Sequence, residues 1–137
     1  MRKKILFVTF FSLFFYKTIS DYVRTFKHEK YVHEHNYTKS ELKQMYNILI
    51  MYMDEDKVSP EHENIYKIFK DNSFSPWIQE AYPNEVKILY KPGLKLSEVN
   101  VNDKVFSFRK AYILWDGTTG GDPMSLQEYE AYLAEPK

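Results

Sequence analysis

One stretch constrains the fold more than any other. Leu42, Met45, Tyr46, Ile48, Leu49, Tyr52 and Met53 recur at three-, four- and seven-residue spacing. An α-helix places residues so spaced on one face. Ile50 and Met51 widen that face, so the helix must be covered by a sheet or a second helix. Thr38-Lys39-Ser40-Glu41 has the form of a capping box, a hydroxyl followed three residues later by a carboxylate. It predicts that the helix starts there, after a break at Asn36-Tyr37-Thr38. Asp54-Glu55-Asp56-Lys57 ends it. Three acids at a helix C-terminus oppose the helix dipole, and the stretch reads as a solvated turn.

The remaining elements are shorter. Ser59-Pro60 predicts an N-cap and first helical position, with Ile65, Ile68 and Phe69 as the inner face of a short helix to about Lys70. Residues 71–83 read as irregular, anchored by Trp77 and Ile78 between Pro76 and Pro83. Val86, Ile88 and Tyr90 alternate with Lys87 and Leu89 as a strand, closed by a Lys91-Pro92-Gly93 turn. Residues 94–102 read as a loop. Residues 104–110 alternate and 111–115 are densely apolar, as one bent strand or two paired strands. Asp116-Gly117 and Gly120-Gly121-Asp122-Pro123 form a glycine-rich link. Ser125-Leu126-Gln127-Glu128 is a second capping box, opening a helix through Leu133 with Leu126, Tyr129, Tyr132 and Leu133 inward. The predicted fold class is α+β: a long N-terminal helical part, a small antiparallel sheet and a short C-terminal helix.

The first twenty residues read as an address. Arg2, Lys3 and Lys4 precede residues 5–16, apolar except for Thr9 and Ser12, and Lys17 interrupts the run. Twelve helical residues rise about 18 Å, short of the roughly 30 Å hydrocarbon core. A cationic start with a short apolar run is the pattern of a secretory signal, with Thr18 and Ser20 small enough for cleavage after Ser20. The alternatives are an uncleaved membrane anchor, with Lys17 snorkelling, and a buried core helix. Residues 21–137 are then expected as one exported α+β domain. Residues 21–35 read as a charged helix, continuous with the apolar run or separate from it.

Charge and cysteine exclude several functions. Residues 21–137 keep 15 of the 19 basic residues and all 19 acidic ones, a formal net charge of −4. No nucleic-acid partner is expected of such a chain. Cysteine is absent, which excludes disulfides, thiolate metal sites and a cysteine nucleophile. His28, His33 and His35 are expected in a solvated polar segment, because metal ligands on a helix more often stand three or four apart. Counting six from Asp54 reaches Ser59, where a calcium-binding EF-hand loop needs glycine. Asp116 and Asp122 bracket Thr118 and Thr119 between glycine turns and are candidate calcium ligands. The carboxylate pairs Glu61/Glu63 and Glu128/Glu130 sit at helix starts, where the dipole accounts for them. No catalytic residue and no cofactor site is predicted beyond that calcium pair.

Three stretches carry a resemblance. They are the helix and turn LKQMYNILIMYMDEDKVSP (residues 42–60), the segment VKILYKPGL (residues 86–94), and Ile113-Leu114-Trp115-Asp116-Gly117 followed by Met124-Ser125-Leu126-Gln127-Glu128-Tyr129. In that order they resemble parts of the bacterial pilin/pseudopilin-like exported proteins, including the pseudopilins of type II secretion. Residues 1–20 contain neither the glycine nor the glutamate of a prepilin motif, and Phe106 stands where many relatives have histidine. The resemblance therefore concerns the soluble domain. It implies a non-catalytic structural or interaction protein of the periplasm or cell exterior, inner-membrane-tethered or associated with a secretion apparatus. Protein partners in an envelope or filament assembly go with it, as does membrane attachment through residues 1–20 where these stay uncleaved. A freely secreted binding module is the alternative, followed by a small secreted hydrolase.

Overall fold

A computed structural model describes residues 2–136, with side chains from residue 12 onward. The cationic start and residues 5–11 of the apolar run lie outside the described side chains. The fold is α+β, as the pattern of elements predicts. Its order is α1 (Arg2–Met53), α2 (Ile65–Asp71), α3 (Trp77–Ala81), β1 (Val86–Ile88), β2 (Lys104–Phe108), β3 (Ala111–Leu114), β4 (Thr119–Gly120) and α4 (Leu126–Ala134). The chain forms two compact units, residues 34–123 and residues 1–33 with 124–137.

The larger unit is built on the predicted stripe. Leu42, Met45, Leu49 and Met53 of α1 share one buried cluster with Val105, Phe106, Phe108, Ala111 and Ile113 of the sheet. Ile65 and Phe69 of α2, Ile78 of α3, Tyr90 and Trp115 complete it. The sheet is an antiparallel meander in the order β1-β2-β3-β4. Residues 104–108 and 111–114 are two paired strands, with Phe108 opposite Ala111. A bulge between Lys104 and Phe106 lets the adjacent residues Val105 and Phe106 both be buried, which strict alternation forbids. The hairpin turn uses Arg109 at φ 55° rather than glycine. Its guanidinium lies over Tyr82 and Phe108, 4.5 and 4.8 Å from the ring centres, and 3.4 Å from Glu85.

Two predicted helix starts are absent, for one reason. α1 does not break at Asn36-Tyr37-Thr38. The Thr38 hydroxyl donates to the Glu34 carbonyl within the helix (2.8 Å). Glu41 is buried and accepts from the Trp77 and Ile78 amides (2.6 and 3.2 Å), so it caps α3 instead of its own helix. Ser59 likewise caps nothing. Its hydroxyl donates to the Lys91 carbonyl (2.6 Å) and accepts from Leu94 N–H (3.0 Å), clamping the turn at Gly93. The helix after it starts with a 3-10 turn at His62–Asn64. Residues 71–83, predicted irregular, contain the short α3, and the 94–102 loop holds a 3-10 turn at Leu96–Glu98.

The smaller unit pairs α4 with α1. Ser125 and Glu128 make the predicted capping box, with bonds of 3.2 and 3.3 Å. The Tyr129 ring stacks on Tyr31 at 4.6 Å and 10°. Met124 N–H donates to the Tyr31 hydroxyl (2.9 Å), and Glu130 accepts both a 2.7 Å and a 2.9 Å bond from Arg24. Leu126, Tyr129 and Tyr132 are half-buried, whereas Leu133, expected inward, is exposed.

Candidate interaction surfaces

Within the smaller unit, α1 presents exposed apolar side chains. Leu13, Phe14, Phe15 and Tyr16 are 58–75% exposed. Four consecutive residues at about 100° each encircle a helix, so no single side is polar there. Further along, Phe15, Ile19, Tyr22 and Phe26 recur at 4-3-4 spacing, and all are exposed. That is the spacing of a seam between packed helices. The α4 contacts use Arg24, His28 and Tyr31, and those four residues are 50–72% exposed.

The larger unit carries a second surface, on the face of the sheet turned away from α1. The strand register aligns Lys87 with Ser107, Ser107 with Tyr112, and Tyr112 with Gly120 in one row across all four strands. A Cβ at Gly120 would lie 2.5 Å from the Tyr112 ring, so only glycine lets that ring lie over β4. Lys104 Nζ sits 4.5 Å above the Tyr112 ring centre. An open groove of about 590 Å³ follows this row, with Lys110, Arg109 and Asp122 also on its walls. At Gly121 (φ 93°) a Cβ would come within 1.8 Å of the Lys110 carbonyl, which fixes glycine beside the groove.

The candidate calcium ligands go to different places. Asp116 is in the β3–β4 turn and accepts from Thr118 N–H (2.8 Å), which holds its carboxyl below the usual range. The cation beside it is Lys43 of α1, which donates to the Gly117 carbonyl (2.9 Å). Tyr46 adds a bond to the Trp115 carbonyl (2.7 Å), so this turn is gripped by α1. Asp122 lies beyond β4, on the groove wall. Among the described residues, no three His, Asp or Glu side chains gather as a metal site.

Of the three histidines expected in a solvated segment, His33 is exposed, whereas His28 and His35 are not. His28 is half-buried and places Nε2 2.8 Å from the Met124 carbonyl. His35 is buried, with Nε2 2.8 Å from the Gly121 carbonyl, and His62 Nε2 is 2.6 Å from the Tyr90 carbonyl. A carbonyl only accepts, so each Nε2 carries a proton and acts as a donor pin. The sequence signal was present: His35 stands on the same 3-4 progression as Tyr31, Thr38, Leu42 and Met45, all buried.

Other displaced ionisations have structural causes. Glu130 lowers its pKa by bonding Arg24, and Arg24 rises in return. Lys57 rises through its 3.0 Å pair with Glu55. Burial pushes the phenols of Tyr46, Tyr66 and Tyr90 up. Among the described residues, no helix is long and apolar enough to cross a membrane. Compared with known proteins, the chain matches no family model, no curated protein and no solved structure.

Proposed function

We propose that this chain is an exported, non-catalytic structural subunit of pseudopilin-like layout, which assembles through the exposed part of α1. One observation carries the proposal. A single helix gives its last turns to the core of the larger unit and leaves an encircling apolar ring and a packing seam exposed near its start. A freely secreted binding module has no use for such a stem, and an apolar surface of this kind marks an interaction site. The 4-3-4 seam suits another helix, and the partner helix in a homomeric assembly is α1 of a second copy. Residues 1–20 serve export and are retained, because Phe15 and Ile19 belong to the seam. The perturbed ionisations support a structural role, since each is explained by an ion pair, a turn or burial.

The test uses the full chain in expressing cells. A photo-crosslinking amino acid is placed at Phe14, Tyr22 or, as a control, Val101 on the larger unit. Intact mass is read from membrane and soluble fractions. Crosslinks between copies at Phe14 and Tyr22 but not at Val101, on chains that retain residues 1–20, are the expected result. Chains cut after Ser20 and soluble outside the cell overturn the proposal and favour a diffusible binding module.

A further inference from the structure

We infer that Asn36 is an N-glycosylation acceptor, loaded with an oligosaccharide while the chain is extended during export and turned to solvent when α1 forms. The inference rests on the export proposed above. It starts from a mismatch between sequence and structure. Asn36, Tyr37 and Thr38 are weak helix formers and read as a break, yet α1 runs through them. The Thr38 hydroxyl donates to the Glu34 carbonyl, one turn back in the same helix (2.8 Å), a bond that holds no other element. Thr38 is 1% exposed, so valine would fill its place without burying a hydroxyl. Together the three residues spell Asn-x-Ser/Thr with x other than proline, the acceptor sequence of N-linked glycosylation. No other asparagine of the chain has serine or threonine two residues on. Some transferases of this class also need an acid two residues before the asparagine, and Glu34 stands there.

The fold lets Asn36 keep such a group. In the larger unit, α1 buries His35, Thr38, Leu42, Met45 and Leu49 and exposes Asn36, Ser40, Lys43 and Asn47. Both sets follow the three- and four-residue spacing of a helix face. A glycan on Asn36 therefore joins a polar, solvated face and displaces no core contact. It also bars close packing on that face, which leaves the seam of Phe15, Ile19, Tyr22 and Phe26 for assembly.

The reaction is a substitution at the anomeric carbon of the donor sugar. The Asn36 amide nitrogen forms the new C–N bond and gives up a proton. The C–O bond to a polyprenyl pyrophosphate breaks, and the pyrophosphate leaves with the electron pair. The donor, a lipid-pyrophosphate-linked oligosaccharide, and its transferase belong to the exporting membrane. The transferase engages the hydroxyl two residues after the asparagine. In the folded chain that hydroxyl is buried and bonded, so transfer has to precede the folding of α1.

The full chain is expressed in an exporting host, with and without an oligosaccharyltransferase and its lipid-linked oligosaccharide, and read by intact mass. The parent should gain one oligosaccharide when the transferase is present. Asn36→Gln and Thr38→Val should lose the gain completely, and Thr38→Ser should keep it. Asn36→Gln should unfold in urea with the parent, as expected of an exposed position. A second chain carries a proven export signal in place of residues 1–20. A gain in that chain alone supports the acceptor and overturns export by residues 1–20. No gain in that chain, once recovered outside the cytoplasm, overturns the inference. So does a gain that survives Asn36→Gln. The timing has its own test. Folded, unmodified parent is given transferase and donor alongside Leu49→Ala, whose core cavity makes it open more often. Leu49→Ala should be modified more than about tenfold faster, since transfer then tracks the open population. Equal rates overturn transfer before folding.

Discussion

Two stretches of α1 carry nearly the same pattern and meet opposite fates. Leu42, Met45, Leu49 and Met53 are buried, while Phe15, Ile19, Tyr22 and Phe26 are exposed. Both progressions mark one face of a helix. The difference lies in what the chain supplies to cover that face. The later stretch has a four-stranded sheet, α2 and α3, whereas α4 covers only the Arg24, His28 and Tyr31 side of the earlier one. Periodicity identifies a face that wants covering, and the cover has to be found elsewhere. Substitutions should therefore separate the two stretches: the first set should unfold the protein, the second should disperse it.

The largest effect should come from Leu49→Ala. The side chain is fully buried among helix and sheet residues. The loss of transfer energy and the cavity left behind should cost about 2–5 kcal/mol in urea unfolding. Tyr22→Ser, on the exposed seam, should change stability by no more than about 0.5 kcal/mol while reducing crosslinking between copies. Equal destabilisation by both would erase the distinction between a covered and an uncovered face.

Next in size is Glu41→Ala. Glu41 is the buried carboxylate that caps α3 from α1, and its loss strands two amides. Hydrogen bonds to a charged group of this kind contribute about 1.5–3 kcal/mol each. A loss of roughly 2–3 kcal/mol is expected in the same urea experiment. A loss below about 0.5 kcal/mol, typical of a surface position, would show that the cap does not hold the larger unit together.

Glu41 also shows why part of the fold was hidden in the sequence. Residue types that cap helices also bond inside them and across to other elements. Ser125 and Glu128 realised their motif because a helix does start there, with Ser125 as its N-cap. Thr38 and Glu41 show the same motif, but the helix runs through it and the carboxylate is taken by α3, 36 residues on. Ser59 went to a turn 32 residues away by the same logic. The apolar stripe, the alternating strands and the glycine turns were legible because each is a local pattern. The groove was not, because Lys87, Ser107, Tyr112 and Gly120 become neighbours only through strand register. Asp116 and Asp122 look paired in sequence, yet one serves a turn gripped by α1 and the other a groove wall.

The α1–α4 pairing sharpens the comparison from the other side, since it is a cover made largely of polar contacts. Arg24 holds the Glu130 carboxyl below its ordinary value of 4.5. A carboxyl so lowered contributes fully above that ordinary value and loses its contribution as pH falls through the lowered one. Carboxyl NMR should give Glu130 a midpoint below 4.5, and Arg24→Gln should return it to the ordinary range. An unmoved midpoint would remove the ion pair from the account of why α4 stays on α1. The pair is half-exposed, so the accompanying change in stability should be small and should shrink with salt.

The smallest effect is expected within the covered core itself. Tyr90 is 2% exposed, and its ring packs edge-on against Phe106 and His62. Its hydroxyl is buried without a hydrogen-bond partner. Burying an unsatisfied hydroxyl is unfavourable, so Tyr90→Phe keeps the packing and removes the penalty. Near neutral pH it should be neutral or stabilising by up to about 1 kcal/mol. At alkaline pH the difference should grow. Burial raises the Tyr90 pKa above the ordinary 10.0, so the folded state resists ionisation that the unfolded state allows. Folding is then favoured in full below pH 10 and loses stability as pH rises beyond it, because the unfolded chain releases the proton first. Tyr90→Phe should flatten that decline, and Tyr46 and Tyr66, raised in the same direction, should account for what remains. A Tyr90→Phe protein that is less stable than the parent at pH 7 would mean that the hydroxyl is held after all, and that even the core of the larger unit is covered in part by polar contacts.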